Sequence, residues 1–474
     1  MNGAEMQRRW GGPRPWRRVL VYGLGVSGRS AARLLLETGA EVLAVDARPA
    51  AELDLGDLER AAGFELHAGG EPAGAVAQRL ATEVEAAVLS PGVPPDRPLL
   101  TALRRAGRPV IAEVELALPW ITGPVVAITG TNGKSTTTEL AGAMVRAAGR
   151  PVEVCGNIGQ PVTERALEAG DHTFVIELSS FQLEAMPTFR PRAAAFLNLA
   201  PDHLDRYPDL AAYGAAKAAL FANQLAEDLA VVNADDPLVL ELTSRVRARR
   251  RGFSRTQPVA DGCQLEGETV VETRPGAAPR ALFERHHLGL AGAHNLENAM
   301  AAALLALAVG AEPADLERAL DGFRGLPHRM ERVAEVRGVT FYDDSKGTNV
   351  AATLKSLEDL PAGAVHLILG GLPKGDDLAP LRPLVSAKAR RLYLIGQAAA
   401  AFETGLAGTA ESERSETLER AVESAAAHAR AGEVVLLSPA CASFDQFRSY
   451  AHRGDRFQEL VQQLVPGLEG GRRG

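Results

Sequence analysis

Residues 125–148 constrain this chain more than any other stretch. Val125-Val-Ala-Ile128 is an apolar run of strand length, Thr129-Gly-Thr-Asn-Gly-Lys-Ser-Thr136 is a glycine-rich polar loop, and Lys134 to Ala148 reads as a helix. A buried strand that hands over to a helix through such a loop belongs in a parallel α/β sheet. It also aims backbone N–H groups at the helix N-terminus, where they favour a phosphate. Lys134 would neutralise the β and γ oxygens of a triphosphate, and the hydroxyl of Ser135 or Thr136 would hold Mg²⁺. The strict GxxxxGK[ST] pattern fails, because Ile128 stands where its first glycine belongs. An ordinary turn is the competing reading, and the strand–loop–helix order weighs against it.

The same alternation recurs along the chain. Val19 to Tyr22 is a strand, Gly23-Leu-Gly-Val-Ser-Gly28 a turn, Ser30 to Thr38 a helix and Val42 to Asp46 the next strand. Phe174 to Ile176 and Ala194 to Leu197 are strands, residues 255–287 read as short antiparallel strands, and Asn295 to Val309 is an Ala/Leu-rich helix. Four later strands, at 339–342, 366–369, 391–395 and 434–437, alternate with helix-compatible segments. At 474 residues the chain exceeds one core. The expected fold is α/β in three domains: a Rossmann-like 17–112, a central P-loop ATPase-like parallel sheet over 113–325, and a Rossmann-like 326–474. Hinges are expected near 112–123 and 325–327. Residues 1–16, arginine-rich with two tryptophans, read as a disordered extension.

Composition excludes several classes. A net charge of -8 leaves no basic footprint, which disfavours nucleic acid. Cys155, Cys263 and Cys441 show neither zinc spacing nor a disulfide framework, which suits the reducing cytoplasm. The longest apolar stretch, Ala299 to Val309, is too short to span a bilayer. Of 51 basic residues only six are lysines: Lys134, Lys217, Lys346, Lys355, Lys374 and Lys388. Where arginine serves every generic need, a retained lysine is a candidate for chemistry that guanidinium cannot perform. Lys355 and Lys388 read as surface charges.

Gly23-x-Gly-x-x-Gly28 with Asp46 at the end of the next strand fits a dinucleotide fingerprint, and alone it would suggest an NAD-dependent oxidoreductase. The physics requires only a diphosphate at a helix N-terminus. Glu177 and the Asn198-Leu-Ala-Pro-Asp-His203 segment follow strands, where open α/β sheets place ligands. Glu177 is a candidate Mg²⁺ ligand, although a lone strand-end acid is more often simply solvated. A lone His203 would more often cap or pack. Lys217 sits in an apolar helix, where a lysine usually snorkels to water. Asp343-Asp-Ser-Lys-Gly-Thr-Asn349 and Ser438-Pro-Ala-Cys-Ala-Ser-Phe-Asp445 also follow strands; a turn is the bland reading of each.

Taken in order, eight segments resemble the Mur ligase family: 130–136, Gly156–Gly159, Glu177–Gln182, Asp202–Tyr207, His294–Asn298, Leu326–Arg329, Asp343–Asn349 and Ser438–Gln446. The resemblance implies an ATP-dependent ligase that joins D-glutamate to UDP-N-acetylmuramoyl-L-alanine through an acyl phosphate, in peptidoglycan precursor synthesis. It implies UDP in the first domain, near Val26, Ser27, Asp46, Arg48 and Ser90. It implies ATP on Gly130, Thr131, Asn132, Gly133, Lys134, Ser135 and Thr136, with Asn295, Asn298, Arg329 and Asp344. Two Mg²⁺ are implied near Ser135, Glu177 and His203, a carbamylated lysine at Lys217, and a muramoyl contact at Asn157. Lys346, Thr348, Ser443, Phe444 and Tyr450 would receive D-glutamate, with Lys374 nearby. A monomer without membrane insertion is expected. Departures from the family pattern are the N-terminal extension, Tyr450 in place of phenylalanine, and Ala47 in place of a hydroxyl residue beside Asp46. Other Mur-type or folylpolyglutamate-type ligases, and a non-catalytic nucleotide switch, are the remaining alternatives.

Overall fold

Runs of apolar residues four to six long, too short for helices, become strands buried on both faces of parallel sheets. In this computed structural model, which describes residues 16–465 except 95, 204, 205, 291, 324, 359, 374 and 376, they assemble into three sheets. The first contains β1 (Arg18–Tyr22), β2 (Glu41–Asp46), β3 (Phe64–Ala68), β4 (Ala86–Leu89) and β5 (Val110–Ala112). Its order is β3-β2-β1-β4-β5, parallel throughout. The strand order reverses beside β1, which opens a crevice at its carboxyl end. Helix α1 (Val26–Glu37) begins inside the glycine turn, four residues before the expected Ser30. Gly28 makes this possible: a Cβ there would lie 1.8 Å from the Gly23 carbonyl oxygen. Trp16, read as part of a disordered extension, instead packs against this sheet's core, because an indole beside a sheet has apolar area to bury. The rest of that extension lies outside the described residues.

A short helix, α2 (Glu113–Ala117), leads into the second sheet. Its strands are β6 (Val125–Thr129), β7 (Val152–Gly156), β8 (Thr173–Glu177), β9 (Ala193–Phe196), β10 (Leu229–Asn233), β11 (Arg249–Ser254), β12 (Gly262–Glu266), β13 (Thr269–Thr273) and β14 (Arg280–Glu284). The order is β14-β13-β12-β11-β10-β9-β6-β8-β7, with antiparallel pairing only among the last three strands in sequence, β12 to β14. Helices α3 (Lys134–Ala147), α4 (Leu210–Ala218) and α5 (Ala293–Ala308) belong to this part of the chain. Alanine takes the place of large apolar residues: β9 is Ala-Ala-Ala-Phe, and Ala299, Ala301, Ala302, Ala303 and Ala306 are fully buried. Small side chains bring helix and sheet backbones close, so a dense core needs few aromatics.

The third sheet contains β15 (Glu331–Val336), β16 (Val339–Asp343), β17 (Val365–Gly370), β18 (Ala389–Ile395), β19 (Glu411–Glu416) and β20 (Val434–Leu437), in the order β15-β16-β20-β17-β18-β19. Only β15 runs antiparallel to its neighbour. Helices α6 (Val350–Glu358) and α7 (Tyr450–Gln463) accompany it. The three sheets fall into two compact units. Among the described residues, one takes 16–199, 203–287 and 297–322; the other takes 200–202, 288–296 and 323–465.

Within the first unit, buried carboxylates join the first two sheets. Glu113 accepts hydrogen bonds from the Thr163 amide and hydroxyl, and the Thr163 hydroxyl also bonds Ser30 at 2.7 Å. Glu115 accepts from the Thr188 amide at 3.0 Å and from its hydroxyl. Burial pushes the Glu113 carboxyl up to about 7 against the hydrogen bonds from Thr163.

Candidate active site

The loop after β6 is shaped by glycine. Gly133 caps α3 in the left-handed region at φ 81°, and a Cβ there would sit 2.2 Å from Asn298 Oδ1. Asn198 braces the loop from the end of the neighbouring strand. Its Oδ1 accepts from the Asn132 amide at 2.8 Å, its Nδ2 donates to the Asn132 carbonyl at 3.0 Å, and its carbonyl accepts from the Thr131 amide at 3.0 Å. Lys134 Nζ turns back onto the carbonyls of Gly130 (3.0 Å) and Thr131 (2.8 Å). Ser135 and Thr136 are buried in the first turn of α3. A helix N-terminus, a left-handed glycine and a lysine on the loop make a concave, positive cradle.

A strand-end carboxylate and a helix lysine stand beside this loop. Glu177 ends β8; its Oε1 accepts from Asn157 Nδ2 at 2.8 Å, while the buried Oε2 accepts no hydrogen bond among the described residues. A buried carboxylate oxygen without a donor is costly, and a cation beside it would relieve that cost. The donor set of hydroxyl, carboxylate and phosphate suits Mg²⁺. Lys217, on α4, is 1% exposed and donates to the Gly130 carbonyl at 2.7 Å. The expectation that a lysine in an apolar helix snorkels to water therefore fails here. The Lys217 ammonium lies 4.5 Å from the centre of the Tyr213 ring, and the His203 ring packs edge-on to both Tyr213 and Phe181. His203 takes a left-handed φ of 55°. Asn298 shares its Oδ1 with the Thr137 hydroxyl at 3.3 Å, and Asn295 is buried three residues earlier on α5.

In the first sheet Ser90 donates to the Gly23 carbonyl at 2.7 Å and so holds the turn. Asp46 accepts from the Leu24 amide at 2.7 Å and pairs with Arg48 at 2.8 Å. Burial would raise this carboxyl, but the bonds from Arg48 and Leu24 outweigh it and hold the group below the usual range. Asp46 thus braces the turn, and Arg48 beside it, half-exposed, is the group that can reach outward. Val26 is exposed and Ser27 partly so, at the start of α1.

The second unit gathers the remaining candidates. Asp344 accepts from the hydroxyls of Ser356 (2.6 Å) and Ser438 (2.7 Å). Burial pushes it up to about 6 against those bonds and the charge of Arg329. Lys346 Nζ lies 3.8 Å from the centre of the Tyr450 ring, a contact that phenylalanine at 450 would also provide. The Gly347 carbonyl accepts from the Ala440 amide at 2.8 Å, which ties the loop of Lys346 and Thr348 to the loop of Ser443. Ser443 is buried and Phe444 is 68% exposed. Lys374 lies outside the described residues.

Three family models match the chain in order: the Mur ligase MurD-like N-terminal domain over 17–112, the Mur ligase middle domain over 128–306, and the Mur ligase glutamate ligase domain over 328–441. A UDP-N-acetylmuramoylalanine–D-glutamate ligase of Myxococcus xanthus is 46% identical over 455 residues, covering 94% of this chain and 98% of that one. The enzyme of the same name from Koribacter versatilis is 43% identical over 453 residues, covering 95% and 98%. The chain belongs to this Mur ligase family. Among solved structures, UDP-N-acetylmuramate-alanine ligase MurC of Thermotoga maritima superposes with a TM-score of 0.59 at 19% identity, covering 94% of this chain and 99% of that one. A MurF ligase of the same organism, in complex with ADP, gives 0.57 at 16%, covering 94% of each. Both share the fold. Family membership displaces the oxidoreductase reading of the first glycine turn.

Several residues that shape this Mur ligase's site went unread in the sequence. Asn198 lay within a segment singled out for His203, and its place at a strand end beside the loop was the available signal. Glu113, Glu115 and Thr163 carried no local signal, because their partners are 50 or 73 residues away, and Arg453 joins Ser345, 108 residues away, to Cys441, 12 away.

Proposed function

We propose that this Mur ligase joins the amine of D-glutamate to the L-alanyl carboxylate of UDP-N-acetylmuramoyl-L-alanine and converts ATP to ADP and phosphate. The observation that carries the reading is the pair of groups beside the Gly130–Thr136 loop: Glu177, which ends the strand next to β6 and whose buried Oε2 accepts no hydrogen bond among the described residues, and Lys217, whose amine donates to the Gly130 carbonyl. Residues 17–112 hold the UDP moiety, 113–325 hold ATP, and 326–474 bring the amino acid.

The substrate carboxylate attacks the γ-phosphorus. An O–P bond forms, the bond to the β,γ-bridging oxygen breaks, and ADP leaves. The amine of D-glutamate then attacks the acyl carbon, the C–N bond forms, and phosphate departs as the amine loses its proton. Such chemistry asks the protein mainly for position and charge. Loop amides and Lys134 stabilise negative charge on the transferring phosphoryl group. Asn298 fixes the loop through Gly133 and Thr137. Asn157 orients both Glu177 and the muramoyl group. Asn295, Arg329 and Asp344 hold the nucleotide, while Lys346, Thr348, Ser443, Phe444 and Tyr450 receive D-glutamate. Ser135, Glu177 and His203 would hold Mg²⁺, which supplies positive charge to the phosphate oxygens. Carbon dioxide adding to the Lys217 amine, with loss of one proton, would place a further carboxylate beside Gly130. A nucleotide-linked substrate and ATP fit a cytoplasmic, monomeric enzyme.

The test is ADP release with UDP-N-acetylmuramoyl-L-alanine and, in turn, D-glutamate, L-alanine and meso-diaminopimelate. Turnover with D-glutamate alone is the expected result. Equal turnover with another amino acid, or NADH binding without ATP hydrolysis, would overturn the reading.

A further inference from the structure

Arg453 is an arginine buried without an acid to pair with. It lies in the first turn of α7, three residues after Tyr450, and is 0% exposed. Its Nε donates to Ser345 Oγ at 3.0 Å, its Nη2 to the carbonyls of Ser345 (2.9 Å) and Cys441 (3.2 Å), and its Nη1 to the Ala442 carbonyl at 3.4 Å. Every one of these acceptors is uncharged. No carboxylate among the described residues comes within ion-pair distance of it. The nearby acids act on it only through space: Asp343 bonds His328 at 2.7 Å, Asp344 accepts from Ser356 and Ser438, and Asp445 accepts from the Gln397 amide at 3.0 Å through Oδ2, while its buried Oδ1 accepts no hydrogen bond among the described residues.

Charge buried in this way is expensive unless something gains from it. Its acceptors indicate what gains. Ser345 precedes Lys346, Ala442 precedes Ser443, and the Ser345 hydroxyl also donates to the Tyr450 carbonyl at 2.8 Å. One planar fork therefore fixes the two strand-end loops and the helix start that carry Lys346, Ser443 and Tyr450. The fold also keeps space open for it: a Cβ on Gly371, at the end of β17, would lie 2.2 Å from the Ala442 carbonyl and 3.1 Å from Arg453 Nη1.

We propose that Arg453 is a positioning residue that sets amino-acid preference. Its guanidinium holds the Asp343–Asn349 and Ser438–Asp445 loops in one geometry, and its buried charge makes the pocket between them favour an amino acid with a second carboxylate. The inference rests on the reading of 326–474 as the part that receives D-glutamate. A neutral scaffold residue could hold loops equally well. The cation, in a dry setting where fields reach further, adds a bias toward anions.

The experiment compares wild type, Arg453→Gln and Arg453→Lys in full-length enzyme, with D-glutamate and its uncharged isostere D-glutamine as acceptors. In Arg453→Gln, KM for D-glutamate should rise about tenfold, the D-glutamate over D-glutamine preference should narrow to match, and KM for ATP should stay within about twofold. Arg453→Lys keeps the charge and loses the fork, so it should retain the preference at reduced kcat. An Arg453→Gln enzyme with lower kcat but unchanged preference would overturn the proposal. Should Arg453→Gln fail to fold, Arg453→Lys decides: loss of preference there overturns it equally. Wild type that ignores D-glutamate would instead sink the functional reading beneath.

Discussion

The two loops that end β6 and β16 do related work by opposite means. The β6 loop is built from neighbours in sequence: two glycines, a lysine that folds back onto its own loop, and the first turn of α3. Asn198, Asn298 and Lys217 brace it from afar. The Asp343–Asn349 loop after β16 has local turn bonds of its own, but its side chains are tied to distant residues: Arg453, Ser438 and His328. A site assembled from backbone can be read off a short string of residues, whereas one assembled from long side chains across a sheet cannot.

That contrast predicts where substitution is most severe. Lys134→Met should lower the rate of ADP formation about a thousandfold or more, because nothing else on the loop supplies a cation to the phosphates. Circular dichroism of the purified variant separates loss of catalysis from loss of the fold. Wild-type turnover in purified Lys134→Met enzyme would break the comparison at its first term.

Lys217→Ala comes next, with an expected loss of about a hundredfold. If a carbamate on Lys217 supplies the missing carboxylate, added formate or acetate should restore part of the activity to the alanine variant and none to Lys134→Met. Full unaided activity would remove the carbamate from the account. Gly133→Ala should follow. The new methyl group would press on Asn298 Oδ1, and alanine is strained at φ 81°. A stability loss of about 1–3 kcal/mol and a raised KM for ATP are expected, read from chemical denaturation and initial rates.

The same contrast explains what the sequence made legible. Strand and helix periods gave three α/β regions because each signal lies within about ten residues. The glycine turn at Gly23 pointed to a diphosphate, yet Asp46 is spent on Leu24 and Arg48, a pairing visible only once β2 is laid beside β1. Lysine scarcity pointed to Lys217, and the structure buries it. It could not point to Arg453, which hides among many arginines. Helix α1 started early because the Gly28–Gly23 approach has no counterpart in hydrophobic periodicity.

His328 gives the smallest effect and tests the second half of the comparison most finely. It adopts a left-handed φ of 62° just before Arg329 and bonds Asp343 Oδ2 through Nδ1 at 2.7 Å. Asp455, at 3.6 Å, and Glu331 also face it, while Gln458 donates to both Glu331 and Asp343 at 2.9 Å. The hydrogen bond that His328 donates to Asp343 raises its pKa above the usual 6.5 against the opposing effect of burial. A raised folded-state value means that stability from the imidazolium is fully present below pH 6.5 and is lost as pH climbs through that value. The gap in melting temperature between wild type and His328→Gln should therefore be widest near pH 6 and shrink by pH 9. Asp344, pushed up to about 6, titrates in the same window but is common to both proteins and cancels in the difference. A gap that stayed constant with pH would show that His328 acts as a neutral spacer, leaving Arg453 as the cation that organises these loops.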